Sequence, residues 1–310
     1  MNKKKLIDRQ GILCQKVQER TAEAKKSGAL QPIPTEFRII EENNIPFIVR
    51  ILSNLVRKEE AKKEQEKKSA TLGKDFNPFL PYEENLFVTD ISDTHVCLLN
   101  KFNVVEEHLL IITRAFEEQE SLLNLEDFFA LWTCMAEFEG LAFYNSGKIA
   151  GASQRHKHLQ IVPLPLTNTG VNIPLDKLLS EAIFDNRIGI IPDLPYQHGL
   201  FKLDPIGDRS PLAAASLILD GYNRLLQTLN LVKNGEDYPQ PYNLLATREW
   251  MLIVPRSAEF FESIAINSLG FAGALLVKNE EQLQFLQAYG IMNVLKNVAF
   301  PVCYSQRLFL

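Results

Sequence analysis

Apolar residues follow two rhythms along this chain, and each predicts a different kind of element. Spacing by three or four predicts helices. Leu6, Ile7, Ile12, Leu13 and Val17 line one side of an otherwise polar helix over 2–27. Phe128, Leu131, Trp132, Met135 and Phe138 form a second, aromatic-rich face. Asn124 is placed to cap that helix, and Glu126 and Asp127 put favourable charge in its first turn. Ser210-Pro211 starts a third helix, continued by Ile218, Tyr222, Leu225, Leu226 and Leu229. A short fourth helix is predicted from Glu280 to Tyr289, ahead of Gly290. Shorter apolar runs predict strands within Phe37–Leu52, at Leu86–Thr89, His95–Asn100 and Leu109–Thr113, and as a pair across Tyr242–Pro255. Residues 167–210 show neither rhythm. Arg57–Lys68 alternates Lys and Glu and reads as a solvated helix or mobile connector, part of a charged insert over 57–76 that closes near Asn77–Pro81.

The stretch from Asn243 to Arg256 loosely echoes the one from Leu98 to Arg114. Both pair a strand, a turn and a second apolar strand ending in Arg. An internal repeat follows, with one chain supplying two related halves.

A period of two is sharpest at residues 156–161. His156, His158 and Gln160 alternate with Lys157, Leu159 and Ile161. On a strand the three polar groups share one face, about 7 Å between neighbours, and Leu159 and Ile161 turn to a core on the other. Pro163 and Pro165 stop the strand. Ahead of it, Gly147, Gly151, Ser153 and Gln154 make a loop small enough for backbone to close on phosphate oxygens. Two imidazoles and a neutral amide beside such a loop suit nucleophilic attack on phosphorus.

A solvated strand face and a zinc half-site are the competing readings of His-X-His. The chain has five histidines and four cysteines, with Cys14, Cys97, Cys134 and Cys303 far apart and never in Cys-X-X-Cys spacing. A closed cysteine-based zinc site is therefore not expected. The scattered thiols give no disulfide framework and fit a reducing cytoplasm. A net charge of −5 argues against a nucleic-acid or anionic-membrane binder. With 310 residues and 46% hydrophobic content, the chain can bury a substantial core without cross-links. No apolar run is long enough to cross a bilayer, so a soluble, cytoplasmic protein is expected.

His156-Lys157-His158-Leu159-Gln160, preceded by Gly151-Ala152-Ser153-Gln154, resembles the signature of the ATP adenylyltransferases (diadenosine tetraphosphate phosphorylases). These form the transferase branch of the histidine triad superfamily, which carries Gln where the hydrolase branch has a third histidine. Further stretches share the likeness: Leu86–Ile91, His95–Lys101 with Glu107–Thr113, and Asn267–Lys278. The resemblance covers roughly residues 37–305.

It implies an α+β fold: a mixed, largely antiparallel sheet with packed helices, two pseudo-repeated halves, and a single catalytic domain over 1–310. Residues 240–305 are expected to be the C-terminal half-repeat that completes the nucleotide site. The implied reaction is phosphorolysis of diadenosine tetraphosphate to ATP and ADP through a histidine–AMP intermediate. His158 would be the nucleophile, with His156 shaping the site or bonding a phosphate oxygen, and Gln160 holding the phosphate oxygens without activating water. Lys58, Asp90, Ile91, Asn100, Asn145, Gly151, Ala152, Ser153, Gln154, Asn267, Ser268, Leu269, Ala274 and Lys278 occupy the family's substrate-binding positions. Asp90 and Ile91 fall near base or sugar, Asn100 near ribose hydroxyls, and Lys58 and Lys278 would offset polyphosphate charge. Mg²⁺ or Mn²⁺ would arrive with the polyphosphate, since no dedicated carboxylate cluster stands out. The partners expected are small nucleotides and phosphate, with no nucleic acid and no membrane, and the chain is expected to act as a monomer. Two rivals share part of this logic. A galactose-1-phosphate uridylyltransferase carries Pro where Lys157 stands, and a non-enzymatic nucleotide sensor would not need His158.

Overall fold

A computed structural model describes residues 5–6, 11–53, 77–167, 170–203, 210–233 and 238–302. Lys58 and the 57–76 insert lie outside the described residues. Ten strands form one antiparallel sheet. The first five are β3 (Phe87–Asp90), β4 (His95–Leu99), β5 (Leu109–Thr113), β6 (Gly140–Asn145) and β7 (His158–Pro163). The second five are β8 (Ile183–Asp185), β9 (Ile188–Ile190), β10 (Gly199–Lys202), β11 (Tyr242–Ala246) and β12 (Trp250–Pro255). The order across the sheet is β3-β4-β5-β7-β6-β11-β12-β10-β9-β8. A smaller sheet pairs β1 (Thr35–Glu42) with β2 (Ile45–Leu52), and β2 in parallel with β15 (Ala274–Val277). A third pairing joins β13 (Phe260–Phe261) to β14 (Ile264–Ala265). The fold is the expected α+β class with a mixed, largely antiparallel sheet.

Counted outward from the β6–β11 junction, the two halves run β6, β7, β5, β4, β3 and β11, β12, β10, β9, β8. Strand for strand, the second half repeats the first. Helix α2 (Leu125–Glu137) links β5 to β6, and helix α4 (Pro211–Thr228) links β10 to β11. Between them in the chain lies the four-residue helix α3 (Asp176–Leu179). The repeat is therefore real but its register corrects the expectation, because β11–β12 answers to β6–β7 and not to β4–β5. Apolar hairpins look alike in sequence; the connecting helices distinguish them. The half-repeat also begins at β8, so a boundary at 240 falls inside it.

Helices α1 (Leu13–Ser27), α2 and α4 cover one face of the large sheet, where Leu159 and Ile161 are buried as expected. The rings of Phe128 and Tyr222 meet edge to face at 5.3 Å, which joins the two repeat helices. Among the described residues the first helix begins at Leu13, and much of the 2–12 part of the expected helix lies outside them. Gly11 adopts φ +80, a left-handed conformation that interrupts a helix, and the Glu137 carboxylate accepts from the Ile12 and Leu13 N–H groups. Asn124 caps α2 as read, in a reciprocal capping box with Asp127. The Phe37–Leu52 run is a hairpin whose turn residues Asn43 and Asn44 both have positive φ.

The opposite face carries two further apolar clusters. One packs the small sheet with α5 (Ser268–Phe271), α6 (Glu280–Tyr289) and α7 (Ile291–Val298) against Phe143, Val162, Leu245, Leu252 and Val254. The other gathers Phe79, Val96, Leu98, Leu110 and Ile112. His158 and Gln160 lie on this face, on the strand that runs between them.

Candidate active site

Strand β7 is anchored from its helix side before it presents anything to a substrate. Lys157, between the two histidines, is buried, and its Nζ lies 2.6 Å from Asp127, 3.1 Å from Glu117 and 2.9 Å from the Leu122 carbonyl. Asp127 also accepts from His95 Nε2 at 3.0 Å and from the Asn124 N–H. Burial pushes the Asp127 carboxyl up, but His95 and the Lys157 ammonium outweigh it and hold the carboxyl below its ordinary range. A buried charge with this many partners fixes the strand's position.

The nucleophile's state follows from one hydrogen bond and one lone pair. His158 Nδ1 lies 2.8 Å from the His156 carbonyl oxygen, which can only accept, so Nδ1 carries the proton. Nε2 is left with its lone pair, and no described residue is bonded to it. Burial drops the pKa from 6.5 to about 4, outweighing the carbonyl bond, so the ring is neutral near pH 7.

Gln119 holds this position from the side. Its Oε1 accepts from the His158 N–H at 2.8 Å, and its Nε2 donates to the carbonyls of Asn145 (2.9 Å) and His158 (3.2 Å). The ladder between β6 and β7 is paired from Gly140–Pro163 to Phe143–Gln160, and two residues further on the Gln119 amide bridges the strands in its place. It ties Asn145 and His158 together.

His156 is wired differently from the expectation that it bonds a phosphate oxygen. Its Nε2–H donates to the Thr113 carbonyl at 2.8 Å, and its Nδ1 accepts from Asn77 Nδ2 at 2.8 Å. Both ring nitrogens are occupied, so its contribution is the carbonyl that sets the His158 tautomer. Phe79 packs against both rings, at 5.7 Å from His156 and 5.3 Å from His158. Phe116, half exposed, meets His156 edge to face at 5.6 Å.

Gln160 Oε1 lies 2.9 Å from His108 Nε2. Asn100, expected at ribose hydroxyls, bonds His108 Nδ1 at 3.1 Å. His108 lies in a stretch that resembles the family but carries no motif of its own, and Gln119 lies outside every such stretch. Partners 39 and 52 residues away in sequence leave no local signal for either.

The phosphate-loop positions do come together. Asn145 Oδ1 accepts from Asn243 Nδ2 (2.9 Å), the Ser268 N–H (2.9 Å) and the Ser268 hydroxyl (2.7 Å). Its oxygen is saturated, which leaves the Nδ2 amide as a donor on the face that carries His158. Gly151, at φ +91, packs so close to the C-terminal segment that a Cβ would stand 2.8 Å from the Ile266 carbonyl. Asn267 caps α5 through the Leu269 N–H. Ala152 and Gln154 are partly exposed and Ser153 is exposed, while the Leu269 side chain packs on the apolar cluster of the small sheet.

Asp90 forms an ion pair with Arg114, and the Ile91 side chain is in the helix-side core. Ala274 and the exposed Lys278 sit at the start and just past the end of β15, in the small sheet that packs on the face carrying His158. Among the described residues no group of three or more His, Cys, Asp or Glu side chains is arranged to hold a metal ion. No described helix is long and apolar enough to cross a membrane.

Comparison with known proteins agrees with this geometry. Residues 3–181 match the Ap4A phosphorylase N-terminal domain, and residues 192–301 the ATP adenylyltransferase C-terminal domain. The chain is 28% identical over 306 residues to diadenosine 5',5'''-P1,P4-tetraphosphate phosphorylase 2 of Saccharomyces cerevisiae, covering 88% of this chain and 90% of that one. Protein APA1 of the same yeast is 26% identical over 294 residues, 86% of each. The crystal structure of yeast Ap4A phosphorylase Apa2 superposes with a TM-score of 0.77 at 26% identity, covering 95% of this chain and 96% of that one. The same enzyme in complex with Ap4A gives 0.76, covering 93% and 97%. With its site built around a neutral imidazole and two family domains spanning nearly its whole length, the chain belongs to the Ap4A phosphorylase family of adenylyltransferases.

Proposed function

We propose that this chain catalyses the reversible phosphorolysis of diadenosine tetraphosphate by phosphate, giving ATP and ADP. The observation that carries the reading is the state of His158: neutral, with Nδ1–H held by the His156 carbonyl and the Nε2 lone pair free. Phosphoanhydrides resist attack partly because their charge repels anionic nucleophiles, and a neutral imidazole avoids that repulsion. Nε2 attacks the α-phosphorus, the P–O bond to the leaving triphosphate breaks, and ATP departs. The imidazolium charge that forms is stabilised by the same carbonyl. Phosphate oxygen then attacks the adenylyl group, the P–N bond breaks, and ADP leaves with His158 restored.

Asn145 Nδ2 and Gln160 offer neutral amide groups to the phosphoryl oxygens, and neither can take a proton from water. Ser153 and Gln154 lie accessible on the loop beside them. A divalent cation would enter on the polyphosphate. Both halves of the sheet come from one chain, which supports action as a monomer, and the scattered thiols support a cytoplasmic setting.

The test is to incubate the protein with diadenosine tetraphosphate with and without phosphate. ATP and ADP should appear only with phosphate, and acid-labile AMP should map to His158 when phosphate is withheld. Equal turnover without phosphate, with AMP as main product, would make this a hydrolase. Nucleotide binding with no turnover and no adenylyl-protein would favour a sensor.

A further inference from the structure

Three hydrogen bonds run in one direction toward Gln160. The Phe102 N–H donates to Asn100 Oδ1 at 3.2 Å, so the Asn100 amide nitrogen must face the other way. That nitrogen donates to His108 Nδ1 at 3.1 Å, which leaves the His108 proton on Nε2. Nε2–H then donates to Gln160 Oε1 at 2.9 Å. A backbone N–H cannot accept, so the first link fixes the sense of every later one. The relay ends with Gln160 oxygen turned inward and its NH₂ group turned to the site. His108 is buried, its ring lies 5.7 Å from that of Phe143, and burial drops its pKa to about 4. It therefore stays neutral, with Nδ1 an acceptor, across the ordinary pH range.

We propose that His108 is a positioning residue that fixes which end of the Gln160 amide meets the transferring phosphoryl group, and that it thereby sets the preference for phosphate over water as acceptor. This rests on the phosphorolysis proposed above. An NH₂ end attracts phosphoryl oxygens and an incoming anion. A flipped amide would present a carbonyl oxygen, which repels the anion and accepts a hydrogen bond from water, turning a water lone pair toward phosphorus. The two fates of the His158–AMP intermediate then separate. Attack by phosphate breaks P–N, forms P–O and gives ADP; attack by water breaks the same bond and gives AMP and a proton.

The measurement is the ADP-to-AMP ratio from diadenosine tetraphosphate at saturating phosphate, with the KM for phosphate. His108→Phe keeps a ring and removes both nitrogens, and it should raise the AMP share about tenfold and raise that KM. His108→Gln restores a donor and should return the ratio toward wild type. Asn100→Leu cuts the relay one link upstream at a half-buried position and should shift the ratio the same way by less, so the question stays open to test where His108→Phe does not fold. Because the ratio reads the partition of one intermediate, a general loss of structure or of ribose contacts lowers both products without moving it. An unchanged ratio in folded His108→Phe or Asn100→Leu, or an equal rise in His108→Gln, overturns the proposal. Failure of the wild type to yield ADP would overturn the underlying reaction instead.

Discussion

Strands β3–β7 and β8–β12 are laid out in the same order about a common junction, each with a helix between its third and fourth strand. On the face away from those helices, β7 presents His158 and Gln160, whereas β12 presents Trp250, Leu252 and Val254. The difference lies in what covers them. Against the second half, the small sheet and the C-terminal helices bury that face in an apolar cluster. Polar groups there would need partners or cost stability. Against the first half, a polar strip interrupts the apolar cover, and His158, Gln160 and Asn145 are each held at one end of the side chain and turned to the site at the other. The backbone plan is thus neutral toward chemistry, and the layer packed on it decides which half reacts.

Substitutions at matching places should separate the two halves most sharply. His158→Ala is expected to lower turnover by more than about a thousandfold, a far larger effect than its cost in stability, because no other side chain on the strand offers a free ring nitrogen for the bond to phosphorus. Activity retained within about tenfold, ~1.4 kcal/mol in barrier, would point to another nucleophile. Leu252→Ala, on the equivalent face of β12, should do the reverse. It should cost about 2–5 kcal/mol in chemical denaturation and leave turnover per folded molecule nearly unchanged.

The junction gives a finer comparison, since Asn145 and Asn243 face each other across it. Asn145 has a donor open to the site, while the Asn243 side chain serves Asn145, the Ala150 carbonyl and Arg256. Asn145→Ala is expected to cut kcat/KM about a hundredfold. Asn243→Ala should cost about 1–3 kcal/mol of stability and a smaller loss of rate. Equal rate losses would mean that Asn145 acts only through structure.

The smallest effect concerns pH. His198, before β10, has the same local wiring as His158, with Nδ1–H on the carbonyl two residues back, but its Nε2 accepts the Ile191 N–H at 2.8 Å. Burial pushes both from 6.5 to about 4. Below pH 6.5 the unfolded chain binds protons that these folded imidazoles refuse, so stability falls as pH drops toward 4. The rate of adenylyl-enzyme formation in a single turnover should nevertheless hold within about twofold from pH 8 to 5.5. An imidazole with an ordinary pKa would lose about tenfold over that range, and such a loss would contradict the neutral, buried state of His158.

What the sequence discloses depends on how far each interaction reaches along the chain. The alternation from His156 to Ile161, the Asn124 cap and the Ser210-Pro211 start all depend on neighbours within a few residues, and the fold honours each. Strands β8, β9 and β10 have three or four residues each, too short for a period of two to show, so 167–210 gave no pattern. The start of α1 depended on the single backbone angle of Gly11. His156 was expected to shape the site or bond a phosphate oxygen, and the sequence does not separate the two; its ring nitrogens are taken up by Thr113 and Asn77, brought close only by the fold.

The β6–β11 ladder joins the halves within one polypeptide, from Asn145–Asn243 to Ala142–Ala246. Were the same ladder a two-fold interface between identical chains, every mutation would appear on both sides of it, and a change that sealed one face would seal the other. Here each position is inherited singly. One half can carry a buried apolar floor while the other presents its imidazole, and a change at Leu252 has no counterpart at His158.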